Sequence, residues 1–401
     1  MSSSTSIAPQ GAESRKYSRE IVLLITLLLL LLSAVFTAFA ARMYHKKYHV
    51  LGDEWFARGE QDFHAGNATA ALRDYRNALL YSPGNTNFEF HLARALAATG
   101  RDEEARAYLL SLLSESPGSG PINLELAKLA ARAGTKAMPD ALRYYHAAIY
   151  GVWDTDPIGM RWQIRKEFCE YLLSHNAIRQ AEAEIIALGD NTSPEDIPGQ
   201  LVAADMLLRA RMWNRALQQY QALLKHDPHD PDVLAGAATA AFQLSQYSLA
   251  QQYFERLPRE RLEAADLAQM HEVSKSVVSL NPFAPGLSTN ESAKRTAEAL
   301  AIAVARATDC AKQHGLQPAG NAPVPASGPT PTSPLTAALA ATNRSAKDWT
   351  ERNLRRFPDR VEPAMQSVFN LENEAAEVCG EPQGGDYALL LIGRNQGSNS
   401  R

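Results

Sequence analysis

Residues 52–85 read GDEWFARGEQDFHAGNATAALRDYRNALLYSPGN. In this 34-residue stretch Trp55, Gly59, Gly66, Ala71, Tyr75, Ala78 and Pro83 stand at positions 4, 8, 15, 20, 24, 27 and 32. The next 34 residues place Leu92, Ala93, Leu96, Gly100, Ala105, Leu109 and Pro117 at positions 7, 8, 11, 15, 20, 24 and 32. Self-similarity at a fixed period marks a repeat array. The chemistry suits two antiparallel helices per unit. Small residues at positions 8 and 20 let the backbones approach, and an apolar or aromatic residue at 24 fills the space left. Proline at 32 stops the second helix, because it has no N–H to donate and its ring clashes with the preceding turn.

These are the signature positions of the tetratricopeptide repeat, and the stretch resembles that family closely. A third unit is marked by Leu126, Ala127 and Gly134, takes about two extra residues over 135–140, and resumes with Ala141, Tyr145 and Ala148. Its end is irregular over 151–159, where either drift of the array or a functional insertion is open, drift being the simpler. The fourth unit has Phe168, Cys169, Leu172, Ala181 and Ile185, with Asn176 in place of the turn glycine. The fifth has Ala204, Leu207, Ala216, Tyr220, Leu223 and Pro228, and the sixth has Ala238, Ala241, Ala250, Phe254 and Leu257. Six units cover 52–264. No single helix pair buries its own apolar face, so the units must stack into a solenoid.

Composition agrees with an all-α fold. Among 401 residues 65 are alanine, the best helix former and a residue depleted from strands. Forty basic against 44 acidic side chains give a net charge of −4, without the basic excess of a nucleic-acid binder. Three cysteines, at 169, 310 and 379, are too few for a disulfide-dense scaffold and lack the close pairing of a zinc site.

Residues 21–41 form an apolar run broken only by Thr26, Ser33 and Thr37. As a helix it spans roughly 31 Å, the thickness of a bilayer's hydrocarbon core. A cleaved signal is the rival reading, since Ala38-Phe39-Ala40 has the small-x-small form. The run exceeds a signal's usual apolar core, which favours an uncleaved transmembrane anchor behind a disordered tail over 1–20. Arg15, Lys16 and Arg19 before it balance Arg42, Lys46 and Lys47 after it. A short basic tail is expected to stay in the cytoplasm, which places the bulk of the chain in an extracytoplasmic compartment such as the periplasm. The reverse orientation, a cytoplasm-facing regulator or adaptor of a membrane complex, is the alternative.

Residues 265–315 read as capping helices, with Leu267, Met270, Val273, Val277 and Val278 first and a helix over 290–313 after them. Residues 316–334 are a Pro-rich linker holding six of the 22 prolines. The final part, 335–401, reads as a small helical segment, with helices expected over 336–357 and 363–378, a short strand or docking segment over 388–392, and frayed residues after 395. Cys169 occupies a small buried repeat position. Cys310 and Cys379 flank the linker and suit a disulfide in an oxidising compartment, or two buried thiols in a reducing one.

No catalytic, cofactor or metal motif emerges: there is no P-loop, dinucleotide fingerprint, Gly-x-Ser-x-Gly elbow or His-Glu-x-x-His. His226-Asp227-Pro228-His229-Asp230-Pro231-Asp232 holds ligand-type residues but falls on an inter-repeat turn. The expectation is a non-catalytic scaffold without cofactors that holds protein or peptide partners at the bilayer, in envelope assembly, secretion or chaperoning. The resemblance implies that positions 5, 9, 12 and 13 line a concave face. Here these include Phe56, Phe63, Phe90, Arg94, Lys128, Arg132, Lys166, Leu208, Arg209 and Phe242. Aromatic anchors beside guanidinium groups suit an extended peptide or an acidic segment. The Lys and Asn pattern with which chaperone-binding members grip a C-terminal carboxylate is not reproduced.

Overall fold

A computed structural model describes residues 13–316 and 333–399. Of the tail expected to be disordered over 1–20, residues 1–12 lie outside the described residues, as does most of the Pro-rich stretch, 317–332. Residues 13–20 are helical, continuous with the apolar segment. The chain divides into two compact units, 1–168 and 169–401. The first contains α1 (Glu13–His64), α2 (Ala68–Tyr81), α3 (Thr86–Ala98), α4 (Asp102–Glu115), α5 (Gly120–Arg132) and α6 (Met138–Ile149), and ends within α7 (Pro157–Ser174). The second contains α8 (Ile178–Asp190), α9 (Ile197–Arg209), α10 (Trp213–Leu223), α11 (Pro231–Gln243), α12 (Tyr247–Phe254), α13 (Arg259–Leu262) and α14 (Ala265–Leu280). It continues with α15 (Thr289–Gln313), α16 (Pro334–Ser345), α17 (Glu351–Arg356), α18 (Val361–Cys379) and α19 (Gly384–Asn399). No strand occurs among the described residues, and one isolated parallel bridge joins Ser119 to Val152.

Helix–turn–helix pairs follow the 34-residue period, and the backbone keeps it where the sequence drifts. Position 15 is left-handed in each unit: Gly66, Gly100 and Gly134 have φ of 81°, 78° and 89°, while Asn176, Arg211 and Ser245 have 54°, 60° and 60°. The N–H of the next residue reaches back five residues, as in Arg101 N to Leu96 O, Ala177 N to Leu172 O and Gln246 N to Ala241 O, each 2.9 Å. This closure satisfies carbonyls that the helix end leaves unpaired. Glycine suits the position, yet the closure holds other residues there at a cost of roughly 1–2 kcal/mol.

Position 24 supplies the large core side chains: Tyr75, Tyr145, Tyr220 and Phe254 are all buried. Tyr75 packs so closely on Gly59 that a Cβ there would stand 2.7 Å from the ring. Tyr220 meets Gly236 of the following helix in the same way, at 2.2 Å. Side-chain caps begin the first helices of the pairs. Asn85 Oδ1 accepts from the N–H groups of Asn87 (3.1 Å) and Phe88 (3.3 Å), and Asp230 Oδ1 accepts from Asp232 (2.9 Å) and Val233 (3.0 Å). The His226 to Asp232 cluster is thereby engaged in folding the turn: Asp227 Oδ1 accepts from the N–H of His229 at 2.9 Å, and Asp232 pairs with Arg261 at 2.9 Å.

In the second unit the helices on either side of 317–332 share one hydrophobic core. Val273, Val277 and Leu280 of α14 and Leu300 and Ala303 of α15 are buried with Leu335, Met365, Val368, Leu371, Leu389 and Ile392. The segment after the Pro-rich stretch is thus packed on the helices that precede it. Two expectations change. Residues 388–392 are helical, not a strand: Ala388, Leu389, Leu390 and Ile392 are all buried within α19, which continues to Asn399 past the residues expected to fray. A short apolar run has no period to separate strand from buried helix. The helix expected over 336–357 is broken into α16 and α17, with Thr350 capping the second by accepting from Asn353 N–H.

Two substitutions test this packing in the full chain in detergent. Ser245→Gly relieves a left-handed non-glycine residue and is expected to raise unfolding stability by about 0.5–1 kcal/mol. Gly236→Ala forces a methyl against Tyr220 and is expected to lower it by about 1–3 kcal/mol. Denaturant unfolding followed by circular dichroism reads both, and equal stability in the two variants contradicts the packing described.

Candidate functional site

In the first unit the first helices of successive pairs present a mixed aromatic and charged face. Phe56 of α1 stacks on Phe88 of α3 (centroids 4.7 Å apart, planes at 16°) and meets His91 edge-on at 5.0 Å. Glu60, one turn along α1, accepts the hydroxyl proton of Tyr75 and lies 2.5 Å from His91 Nδ1. Burial, then the hydrogen bond to Glu60, holds the Tyr75 hydroxyl far above its ordinary range, so it stays protonated. Burial pushes the His91 imidazole down, opposed in part by the Glu60 carboxylate.

Beside this cluster Arg94 is held between two rings, its guanidinium 4.9 Å from the centroid of Phe63 and 5.9 Å from that of Phe90. Such contacts contribute roughly 0.5–2 kcal/mol, depending on how dry they are. Glu125 of α5 lies 3.8 Å from Arg94 Nε and 3.7 Å from Lys128 Nζ, so Arg94 links the two predicted rings, Phe63 and Phe90, to a carboxylate it shares with Lys128. A cavity of about 620 Å³ opens next to them, lined by Phe90, His91, Ser116 to Ser119 and Ile122.

The other predicted residues are placed differently. Arg132 forms an ion pair with Asp102 at 2.9 Å, and Arg209 one with Glu170 at 2.8 Å, so both are matched within the chain. Lys166 lies 5.9 Å from the Trp162 ring. In the second unit Leu208 is half-buried, and Phe242 meets Tyr247 edge-on at 5.4 Å against the C-terminal core. Sequence reasoning counted cations and aromatics but passed over their acidic partners. Glu60 and Asp205, which accepts from the Tyr220 hydroxyl at 2.6 Å, both stand at position 9, a signal that was available.

A second cluster, in the other unit, was not foreseen. Arg306 of α15 donates to Glu372 Oε2 at 2.6 Å and to Gly380 O at 2.9 Å, and Glu372 is fully buried. Burial, then the nearby Asp386 carboxylate, pushes the Glu372 carboxyl up to about 7 against the pull of Arg306, and burial raises Asp386 as well. The Cys310–Cys379 disulfide, with Cα atoms 6.1 Å apart, ties the ends of α15 and α18 beside this group. Closing a loop across 69 positions stabilises the fold by roughly 4 kcal/mol in the chain-entropy model. Residues 306, 372 and 386 carry no motif, because helix packing alone brings them together.

The pH dependence follows from the sign of that shift. A carboxyl raised in the folded state binds more protons folded than unfolded. Its stabilising contribution is complete below the unfolded value near 4.5 and is lost as pH rises through about 7. Thermal unfolding of the full chain is expected to show this decline over pH 5–7, and Glu372→Gln is expected to flatten it. An unchanged slope in the variant removes the assignment.

Comparison with known proteins adds the following. Residues 62–118 match the family model described as tetratricopeptide repeat. No curated protein sequence is significantly similar to the chain. Among solved structures, the chain is similar to a tetratricopeptide repeat protein from Parabacteroides merdae, at 14% identity over 61% of this chain and 91% of that one, TM-score 0.37. It is similar to YrrB, described as having an unusual peptide-binding site, at 13% identity over 50% of this chain and 97% of that one, TM-score 0.36. The TPR2AB domain of yeast Sti1 in complex with pHSP90 is similar at 14% identity over 56% of this chain and 99% of that one, TM-score 0.24.

Proposed function

We propose that this tetratricopeptide-repeat chain is a non-catalytic scaffold, anchored in a membrane by residues 21–41, that binds an extended peptide segment of a protein partner. Repeat solenoids form extended binding surfaces by construction. The observation that carries the reading is the Arg94 guanidinium between the rings of Phe63 and Phe90. The Arg94–Glu125 contact is loose at 3.8 Å, so a peptide carboxylate competes for that guanidinium with little loss. Arg132 and Arg209 are closely matched already, which concentrates recognition on Arg94. Tyr75 and Tyr220, the most strongly perturbed hydroxyls, are spent on helix packing against carboxylates, which supports a scaffold over a catalyst.

The anchor has its own support. α1 contains a stretch with a mean hydropathy of 2.9 that is long and apolar enough to cross a bilayer, and none of it is buried. Confinement to a surface raises the effective concentration of sites for a membrane-bound partner. The Cys310–Cys379 disulfide favours an oxidising compartment for the bulk of the chain, hence the extracytoplasmic orientation over the cytoplasm-facing adaptor.

A photo-crosslinking residue at Phe90 in native membranes is expected to yield discrete adducts with a partner, reduced at least about tenfold by Arg94→Ala, the loss of one charge-assisted anchor. The same residue at Arg76, on α2, is expected to yield none. Equal adducts from both sites, or adducts that survive Arg94→Ala unchanged, overturn the assignment.

A further inference from the structure

The first unit is polarised along its helix axes, and the polarity points at lipid. α1 is one continuous helix from the apolar segment into the first repeat, so chain direction settles which end of the unit faces the anchor. α1 runs away from the apolar segment and α2 returns beside it. Tyr48 meets Tyr81 at 5.5 Å, and His49 Nδ1 lies 3.1 Å from the Ser82 hydroxyl. The turn after α2 is therefore on the anchor side, and alternation of direction puts the turns after α4 and α6 there as well. Backbone bonds join the last two: Gly120 N–H donates to Val152 O at 3.0 Å, and Val152 N–H to Gly118 O at 2.8 Å.

The two edges differ in chemistry. Among the described residues beyond the apolar segment, four large hydrophobic side chains are at least 70% exposed: Leu80, Tyr150, Val152 and Ile158. All four lie at the anchor-side edge, at the end of α2, in the loop after α6 and at the start of α7. The turns at 82–85 and 116–119 carry no charged residue. The third turn carries two carboxylates, Asp154 and Asp156, the latter accepting from Gly159 N–H at 3.0 Å. The opposite edge is built from ion pairs, Arg132 with Asp102 at 2.9 Å and Arg106 with Asp140 at 3.5 Å. Ion pairs at one end and exposed apolar side chains at the other, with the Tyr150 hydroxyl accepting from Arg165 at 3.4 Å, form the pattern of a surface resting on an interface.

We infer that the third turn of this edge lies on the lipid headgroup layer, with Tyr150, Val152 and Ile158 inserted into the interface. The inference rests on the reading of residues 21–41 as a membrane anchor. The distances are compatible. His49 lies about 12 Å along the helix beyond residue 41, against a headgroup layer of roughly 5–8 Å. A typical anchor tilt of about 20° lowers a point roughly 30 Å to the side by about 10 Å, which closes the gap for the third turn. The edge thus acts as a second, weak membrane contact that fixes the tilt of the repeats.

The test uses the full chain with Cys169→Ala, its disulfide intact, in phosphatidylcholine vesicles with or without brominated acyl chains. An environment-sensitive fluorophore is placed by Val152→Cys, Ile158→Cys, Asn67→Cys, Lys136→Cys or Leu29→Cys in separate samples. Brominated lipid is expected to quench Val152→Cys and Ile158→Cys at least about twofold, as at an interfacial depth, and to leave Asn67→Cys and Lys136→Cys unchanged. Leu29→Cys, within the apolar segment, is expected to be quenched most. If Leu29→Cys is quenched and the Val152 and Ile158 sites match the distal ones, the edge does not touch lipid. Quenching at the distal sites equal to that at Val152 and Ile158 overturns the claim of an edge-specific contact. If Leu29→Cys is not quenched, the anchor itself fails, a result distinct from the other two.

Discussion

The continuity of α1 is the constraint on which the account depends. One helix, Glu13–His64, contains both the apolar segment and the first helix of the first repeat. With no break in the helix, the direction of the apolar segment sets the direction of every helix stacked on it in the first unit. A helix in water with 18 apolar residues among the 21 of 21–41, and none of them buried, would be a severe exposure of apolar surface. Removing that surface from water is the gain that makes anchoring the natural reading.

Repeat packing supplies the rest of the order. A tyrosine at position 24 fits only where the facing residue is small, as at Gly59 and Gly236, and each buried hydroxyl needs an acceptor, supplied at position 9 by Glu60 and Asp205. This satisfies a polar group that would otherwise cost roughly 1–3 kcal/mol to bury. The same position 9 lies on the face assigned to ligand binding. Packing therefore holds carboxylates on that face, which is mixed in charge instead of uniformly basic.

Sequence period made the repeats legible because it reports a local requirement, a left-handed turn and a close helix approach, repeated every 34 residues. The backbone requirement outlasts the residue that signals it: Arg211 and Ser245 adopt the turn that Gly66 and Gly100 announce. Tertiary coincidences were not legible. Arg306, Glu372 and Asp386 come from three helices with no shared spacing, and Val152 joins Gly118 and Gly120 by backbone bonds that no side chain encodes. The candidate face was half legible. Phe63, Phe90, Arg94 and Lys128 converge, while Arg132 and Arg209 are drawn to Asp102 and Glu170, partners fixed only by the stacking of helices.

A distance across the bilayer boundary tests the central claim most directly. Spin labels introduced by Val35→Cys and Ala57→Cys, in the full chain with Cys169→Ala and in lipid nanodiscs, are read by double electron–electron resonance. An uninterrupted helix of 22 residues between them predicts one narrow distribution near about 33 Å. A broad distribution, or a peak well below that separation, means that the helix breaks between anchor and repeats, and contradicts the account.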